Sequence, residues 1–266
     1  MDIIQVIVLA LVQGISEFLP ISSSAHLVLV PKLFNWVDQG LAFDVAVHIG
    51  TLVAIIIYFK DRIFRLLSDF FVSIIKHKSI GESSLVWAVC FATIPAGLFG
   101  LAFNDIIEKY ARSGVMIAVM TIIFGIVLYV ADKNVGTKSE YDVTIKLALL
   151  IGLAQALALI PGVSRSGVTI SAALLLGFSR VASANFSFLM SIPVILLAGG
   201  LESLKLIKDE TTHIYSWSDL GLAFVLSAVS AYICVRLFMV FISKVSMLPF
   251  VIYRILLGMF LLGIFL

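Results

Sequence analysis

The sequence has little charge and little cysteine. Only 13% of the 266 residues are charged, whereas a soluble domain has about 25%. With 61% hydrophobic residues and a mean hydropathy of +1.15, the chain carries more apolar surface than a soluble domain could bury. The net charge of +2 is too small to indicate a nucleic-acid partner. We therefore interpret the chain as an integral membrane protein.

The two cysteines, Cys90 and Cys234, lie in apolar runs without the spacing of metal ligands. This context predicts that both are small core residues, and it indicates neither a disulfide framework nor a zinc site. The N-terminal stretch MDIIQVIVLALVQG superficially resembles a signal peptide. It lacks a basic beginning, carries Asp2 instead and has no convincing cleavage site, so we expect it to be part of the mature protein.

Apolar runs predict the membrane spans. A spanning helix needs about 20 mostly apolar residues. Six stretches qualify, and they cover residues 41–59, 85–103, 114–131, 184–200, 219–241 and 248–266.

Two further pairs of apolar runs are too short to span. Residues 3–12 stop at Gln13, and residues 27–37 contain Pro31; in the second half, 143–160 end at Pro161 and 168–178 follow. Non-helical backbone at membrane depth is tolerated only where protein or water surrounds it. The predicted fold is an all-α polytopic membrane protein with six transmembrane helices and two re-entrant helix–loop–helix hairpins.

Basic residues between the spans predict the orientation. If the spans alternate, ten of them fall on one side and five on the other, so the positive-inside rule puts the larger group in the cytoplasm. The first hairpin then opens outward and the second inward. The stretch 63–76 is typical of an amphipathic helix at the cytoplasmic interface. The larger group is Lys60, Arg62, Arg65, Lys76, Lys78, Lys133, Lys138, Lys146, Arg180 and Lys244, and the smaller is Lys32, Lys109, Arg112, Lys205 and Lys208.

A shift of 142 positions aligns two polar clusters. Gln13 then falls on Gln155, Ser22 on Ser164, and Ser24 on Ser166. Because the two hairpins are predicted to open to opposite sides, the repeat would be inverted, with halves at about 1–131 and 142–266 of a single membrane domain, 1–266. In such folds the functional site lies where broken helices meet near mid-membrane.

The second cluster, PGVSRSGVT at 161–169, has the groups of a phosphate cradle. Arg165 offers a planar fork suited to phosphate, and the hydroxyls of Ser164, Ser166 and Thr169 offer donors. A helix that begins near Gly167 would add free backbone N–H groups. The alternative is structural: an arginine that satisfies helix-end carbonyls, and serines that cap a helix break.

The first cluster, QGISEFLPISSSAH at 13–26, adds groups that a reaction needs. Glu17 follows Gln13 by four residues, and His26 follows Ser23 by three, about one helical turn in each case. A hydroxyl, an imidazole and a carboxylate can serve as nucleophile, proton carrier and orienting or metal-binding group. The alternatives are helix capping by Ser22, Ser23 and Ser24 and a buried histidine bonded to the backbone.

Asp44, His48 and Arg254 are polar residues inside predicted spans. Asp44 and His48 are one turn apart and form a candidate supporting pair or proton path. Arg254 is expected to pair internally, because an unpaired arginine in lipid is costly.

The two motifs, together with FDVAVHIGTLVA and YRILLG, resemble the undecaprenyl-diphosphatase family, the bacitracin-resistance type of membrane phosphatase. The resemblance runs through essentially the whole chain. It implies an inner-membrane enzyme that removes the terminal phosphate of a C55 polyprenyl diphosphate. The product is the monophosphate carrier used in cell-wall synthesis. It also implies a catalytic pocket on the outer face.

The resemblance assigns roles to residues that match the family motifs. It implies catalysis by Glu17, Ser23, His26 and Arg165, with Ser23 the favoured nucleophile and His26 an alternative nucleophile or proton carrier. Glu17 would activate or bind a divalent cation, Mg²⁺ or Ca²⁺. Gln13 stands where the family often has a second glutamate, so Glu17 would be the only carboxylate of that motif. The substrate-binding residues implied are Gln13, Ser22, Ser24, Ser164, Ser166 and Thr169.

Two other functions are compatible with parts of the sequence. A polyprenyl-phosphate flippase would also use inverted repeats with broken helices, but transport needs no nucleophile beside a base. A structural scaffold leaves the polar clusters unexplained. The sequence leaves open the nucleophile, the metal, the accepted chain length and the choice between monomer and homodimer.

Overall fold

The computed structural model describes residues 2–110, 113–208 and 216–266, and this part of the chain is helical with no β-strand. One isolated parallel bridge joins Lys138 to Phe178. Of the residues used to predict the orientation, Arg112 lies outside the described residues, as do the side chains of Lys109, Lys205 and Lys208. The α-helices are α1 (Ile3–Ser16), α2 (Ser23–Phe34), α3 (Gly40–Tyr58), α4 (Lys60–Lys76), α5 (Ser83–Tyr110), α6 (Gly114–Lys133), α7 (Ile145–Ala156), α8 (Arg165–Leu175), α9 (Arg180–Lys208), α10 (Trp217–Ile242) and α11 (Leu248–Phe265).

Six of these helices, α3, α5, α6, α9, α10 and α11, are long and apolar enough to cross a membrane. They contain the six predicted stretches to within a few residues at each end, so the span prediction is confirmed. Helices α5 and α9 extend beyond the predictions and carry Pro95 and Pro193 in their interiors. The described chain is therefore that of a multi-pass membrane protein.

The predicted helix breaks also occur. Helix α1 ends before Glu17 and α2 begins at Ser23, while α7 is followed by a 3₁₀ turn, Leu157–Leu159, and α8 begins at Arg165. Ser22 and Ser164 are the residues directly before α2 and α8, and both have positive φ, 72° and 71°. Such a conformation is uncommon for residues other than glycine, and strained backbone of this kind tends to cluster at functional sites.

Small residues let the short helices pack closely on the long ones. Gly14 of α1 lies against the backbone of α10 at Ser227, and Gly152 of α7 lies against the backbone of α5 at Ala92, with no room for a Cβ at either glycine. Close backbone approach at glycine is typical of helix packing in membranes. Helix α1 therefore packs on α10, and α7 packs on α5.

Ion pairs mark the end of the bundle where α4 lies. Arg62 of α4 binds Glu82 just before α5 and Glu140 in the turn before α7, at 3.3 and 3.0 Å. Glu140 also accepts a hydrogen bond from Asn185 near the start of α9. We call this the α4 end; the starts of α5 and α9 and the end of α3 lie there.

Candidate active site

The two polar clusters meet at Glu17. Its Oε1 lies 2.9 Å from Nη2 of Arg165, at the start of α8. Its Oε2 accepts hydrogen bonds from the Ser23 hydroxyl, at 2.8 Å, and from the Gln13 amide, at 3.0 Å. Glu17 is buried, so these partners compensate much of its charge. The structure thus brings together four residues that the sequence singled out.

The positions of these residues follow from the helix ends. Gln13 lies one turn before Glu17, whose backbone N–H donates to the Gln13 carbonyl at the end of α1. Ser23 is the first residue of α2 and Arg165 the first of α8. Side chains at helix starts can point back toward the preceding loop, so both reach the same carboxylate.

Arg165 is held from several sides. Its Nη1 donates to the carbonyl of Ser187 on α9, at 3.4 Å, and its guanidinium lies 5.7 Å from the centre of the Phe18 ring. Thr169 does not bind the guanidinium but donates to the Arg165 carbonyl, at 2.8 Å, and contacts the Ser187 hydroxyl. These contacts fix the orientation of the guanidinium, which points toward the Glu17 carboxylate.

The remaining serines bond to two loops: the first loop lies between α1 and α2, and the second loop lies between α7 and α8. Ser22 and Ser164 accept hydrogen bonds from backbone N–H groups in the first turns of α2 and α8. Ser24 accepts from the backbone N–H of Gly162, at 3.2 Å, and Ser166 donates to the Leu19 carbonyl, at 2.8 Å. The capping alternative is therefore realised at Ser22 and Ser164, and the other two hydroxyls join one loop to the other. Their contact with phosphate stays a prediction.

Arg254 holds both loops from α11. Its side chain is fully buried and donates to the carbonyls of Thr121, Pro20, Gly162 and Val163, at 2.8–3.2 Å. Pro20 belongs to the first loop, and Gly162 and Val163 belong to the second. The expected internal pairing of Arg254 is confirmed, and its partners among the described residues are backbone carbonyls rather than a carboxylate.

The side chains of His26 and Ser23 have different hydrogen-bond partners. Its Nδ1 lies 2.7 Å from the Ser22 carbonyl, which can only accept, so Nδ1 is the protonated nitrogen. Its Nε2 lies 2.6 Å from the Tyr253 hydroxyl, and the two rings are stacked with centroids 5.6 Å apart. Both ring nitrogens therefore have partners away from Glu17.

A cavity of about 310 Å³ adjoins Glu17 and Arg165. Its apolar wall comes mainly from α5 and α9, where Gly97 and Gly199 leave open space, and partly from the 3₁₀ turn after α7. Most of the lining residues of α3, α5 and α9 fall in the halves of those helices away from the α4 end, and Thr93 and Ala96 lie just before the middle of α5. The polar lining residues are Glu17, Asp44, His48, Thr93, Gln155, Arg165 and Glu202.

Asp44 and His48 extend the polar wall on α3. His48 Nδ1 lies 2.7 Å from the Asp44 carbonyl, and its Nε2 lies 3.8 Å from Glu17 Oε2. Their one-turn spacing identified them in the sequence as a candidate supporting pair. Glu202 was missed, and the signal that could have found it is a carboxylate within an apolar span.

In the described part of the chain, the carboxylates of the cavity wall are not grouped as a set of metal ligands. Among the described residues, no group of three or more histidines, cysteines, aspartates or glutamates is arranged to hold a metal ion. Both oxygens of Glu17 are already bonded, one of them to a guanidinium. Gln13 Oε1 is buried and has no hydrogen-bond partner among the described residues, so it is a free oxygen donor beside Glu17. These residues suit a cation that arrives with further oxygen ligands of its own.

Comparison with known proteins points to one family. The family model for bacitracin resistance protein BacA matches residues 6–260. The undecaprenyl-diphosphatase of Campylobacter curvus is 76% identical over the full length of both chains. The undecaprenyl-diphosphatase of Saccharophagus degradans is 55% identical over 97% of this chain and 96% of its own.

Proposed function

The chain belongs to the family of bacitracin resistance protein BacA, and we propose that it hydrolyses undecaprenyl diphosphate to undecaprenyl phosphate and inorganic phosphate. The observation that carries the proposal is the contact of Glu17 with Ser23 and Arg165, which puts a base, a hydroxyl and a cation together beside a cavity. The names of the relatives support the same reaction. They give no support to a polyprenyl-phosphate flippase.

Ser23 is the proposed nucleophile. Its hydroxyl donates to Glu17 Oε2 at 2.8 Å, so the carboxylate can take the proton as the oxygen attacks. A bond forms between Ser23 Oγ and the terminal phosphorus, and the bond from that phosphorus to the bridging oxygen breaks. Undecaprenyl phosphate leaves, and water then cleaves the phosphoserine to release inorganic phosphate.

Arg165 is the proposed anchor for the charge of the terminal phosphoryl group. Phosphoryl transfer depends mainly on positioning and on electrostatic stabilisation of the oxygens of that group. Arg165 is preorganised by Glu17, Phe18 and Ser187. The first turns of α2 and α8 add the positive ends of two helix dipoles.

His26 is better suited to a positioning role than to attack. Its Nδ1 donates to the Ser22 carbonyl and its Nε2 accepts from Tyr253. Through Ser22, the residue before α2, this arrangement supports the start of the helix that carries Ser23. We therefore favour Ser23 over His26 as nucleophile.

A divalent cation, Mg²⁺ or Ca²⁺, is proposed to enter with the diphosphate. The cavity wall has three carboxylates, Glu17, Asp44 and Glu202, against one arginine. A bare diphosphate would meet that wall at an electrostatic cost, which a bound cation reduces. Glu17 and the free Oε1 of Gln13 are the oxygen donors proposed to face it, since hard divalent cations prefer oxygen ligands.

The two short helix pairs are proposed to be re-entrant hairpins related by an inverted repeat within one domain. Three likenesses support this proposal. Ser22 and Ser164 share a positive φ at positions 142 apart. Each caps its helix and contacts the serine two residues on. The packing of α1 on α10 is matched by that of α7 on α5.

The cavity is proposed to face the outer side of the inner membrane. Most of its lining residues on α3, α5 and α9 lie in the halves of those helices away from the α4 end. The α4 end carries the larger group of basic residues, which the positive-inside rule assigns to the cytoplasm.

The proposal is tested by phosphate release from undecaprenyl diphosphate by purified protein in detergent with Mg²⁺. Glu17→Gln removes the base and the partner of Arg165, and we expect a loss of at least about 100-fold. Glu82→Gln is the matched control, because Glu82 pairs with Arg62 at the α4 end. A wild-type protein that releases no phosphate, or a Glu17→Gln variant as active as Glu82→Gln, would contradict the proposal.

A further inference from the structure

Gln155, at the end of α7, has a buried side-chain amide. Its exposed fraction is 2%, and neither its Nε2 nor its Oε1 has a hydrogen-bond partner among the described residues. An unsatisfied buried polar group costs about 1–3 kcal/mol, and folded proteins contain few of them. A side chain with both amide atoms unpaired therefore needs an explanation other than stability.

The position of Gln155 supplies one. The residue lines the same cavity as Glu17 and Arg165. Two other buried glutamines, Gln5 and Gln13, each use the amino group, Gln5 for the carbonyl of Val37 at 2.8 Å and Gln13 for Glu17 at 3.0 Å. Gln155 has the same chemistry, and its amino group is free beside the cavity.

The repeat allows the amide of Gln155 to be compared with that of Gln13. Gln13 and Gln155 occupy equivalent positions 142 residues apart. In the first half the amide is bound to the carboxylate of Glu17, and in the second half Leu159 stands at the position equivalent to Glu17. The amide of Gln155 therefore lacks the partner that its counterpart has.

The chemistry of a primary amide indicates what it binds. Its two N–H groups can donate to phosphate oxygens, and its carbonyl can accept from a phosphate hydroxyl or a bound water. The amide is neutral, so it adds donors without changing the charge of a wall that already has three carboxylates and one arginine. A diphosphate held by Arg165 offers the acceptors that the Gln155 amino group lacks.

We propose that Gln155 is a substrate-binding residue whose side-chain amide donates to the diphosphate group of the lipid held by Arg165. The assignment rests on the proposed function. If Gln155 binds substrate, its replacement should leave the stability of the fold intact, whereas replacing a structural glutamine should lower it. Replacing an unsatisfied amide by an apolar side chain of similar size removes a desolvation cost, so the fold does not lose stability.

Gln155→Leu is the test, and Gln5→Leu is the matched control. Both proteins are purified in detergent with Mg²⁺, and the Tm is measured with the Kd for farnesyl methylenediphosphonate, a non-hydrolysable prenyl diphosphate analogue. For Gln155→Leu we expect a Tm at or above that of wild type, with Kd and KM raised about 10- to 100-fold, the effect of losing a hydrogen bond to a charged group. For Gln5→Leu we expect a lower Tm and an unchanged Kd, because that glutamine bonds to the protein.

A second variant separates binding from folding. Gln155→Glu keeps the size but puts a carboxylate against the diphosphate, so we expect weaker binding than in Gln155→Leu. A Gln155→Leu protein with the Kd of wild type, or with a Tm below it, would overturn the assignment while leaving the proposed function intact. A wild-type protein that neither binds the analogue nor releases phosphate would overturn the proposed function itself.

Discussion

The carboxylate of Glu17 and the guanidinium of Arg165 lie 2.9 Å apart, although 148 positions separate them in the chain. Neither polar cluster forms a site alone: the first supplies the carboxylate and the hydroxyl, and the second supplies the cation. The contact is buried beside a cavity, where charges interact more strongly than in water. Changes on either side of this contact should therefore affect the same reaction.

Arg165→Lys tests the geometry of the cation. Lysine keeps the charge but is a compact group without the planar fork, so it cannot bind Glu17 and the Ser187 carbonyl in the same way. We expect phosphate release to fall at least about 100-fold, the usual effect of losing a group that stabilises transition-state charge. The control is Arg180→Lys, because Arg180 pairs with Asp132 at the α4 end, away from the cavity. Equal activity of the two variants would make Arg165 an architectural residue.

His26→Gln tests whether the imidazole attacks. Because both ring nitrogens are bonded to Ser22 and Tyr253, we expect glutamine to support the start of α2 in part and to retain activity within about 10-fold of wild type. Steady-state phosphate release measures the effect. A loss as deep as that of a nucleophile variant, together with a phosphohistidine detected by mass spectrometry, would reverse the assignment.

Arg254→Met tests the junction of the two loops. The change leaves four buried carbonyls without their donor, and we expect the free energy of unfolding to fall by about 3 kcal/mol or more. Denaturation by sodium dodecyl sulfate in mixed micelles measures it. Arg236→Met is the control, because Arg236 is an exposed residue of α10. If the free energy of unfolding of Arg254→Met is as high as that of Arg236→Met, the two loops do not depend on Arg254.

The helices and their breaks were predictable because they depend on local chemistry. Apolar runs of sufficient length predict the spans, and Pro161 with the serines after it predicts the break before α8. The meeting of Glu17 and Arg165 was also indicated, since polar groups at membrane depth need partners.

The other contacts of the site depend on how the helices pack, and the spacing of residues along the sequence does not predict that packing. The partners of Arg254 are carbonyls, which every residue carries, so its role as a junction has no sequence signal. Gln155 and Glu202 line the cavity only because α5, α7 and α9 are arranged around it. His26 follows Ser23 by three residues, yet its ring bonds to Tyr253, 227 positions away.

The central claim is that Ser23, activated by Glu17, takes up the terminal phosphoryl group of a prenyl diphosphate. The most direct measurement compares phosphate release from undecaprenyl diphosphate by wild type, Ser23→Ala and Ser171→Ala. Ser171 lies on α8, and its hydroxyl donates to the Gly167 carbonyl of the same helix. We expect Ser23→Ala to lose at least about 1,000-fold, as is usual when a nucleophile is removed, and Ser171→Ala to stay near wild type. A Ser23→Ala protein that folds and releases phosphate at the wild-type rate would contradict the account.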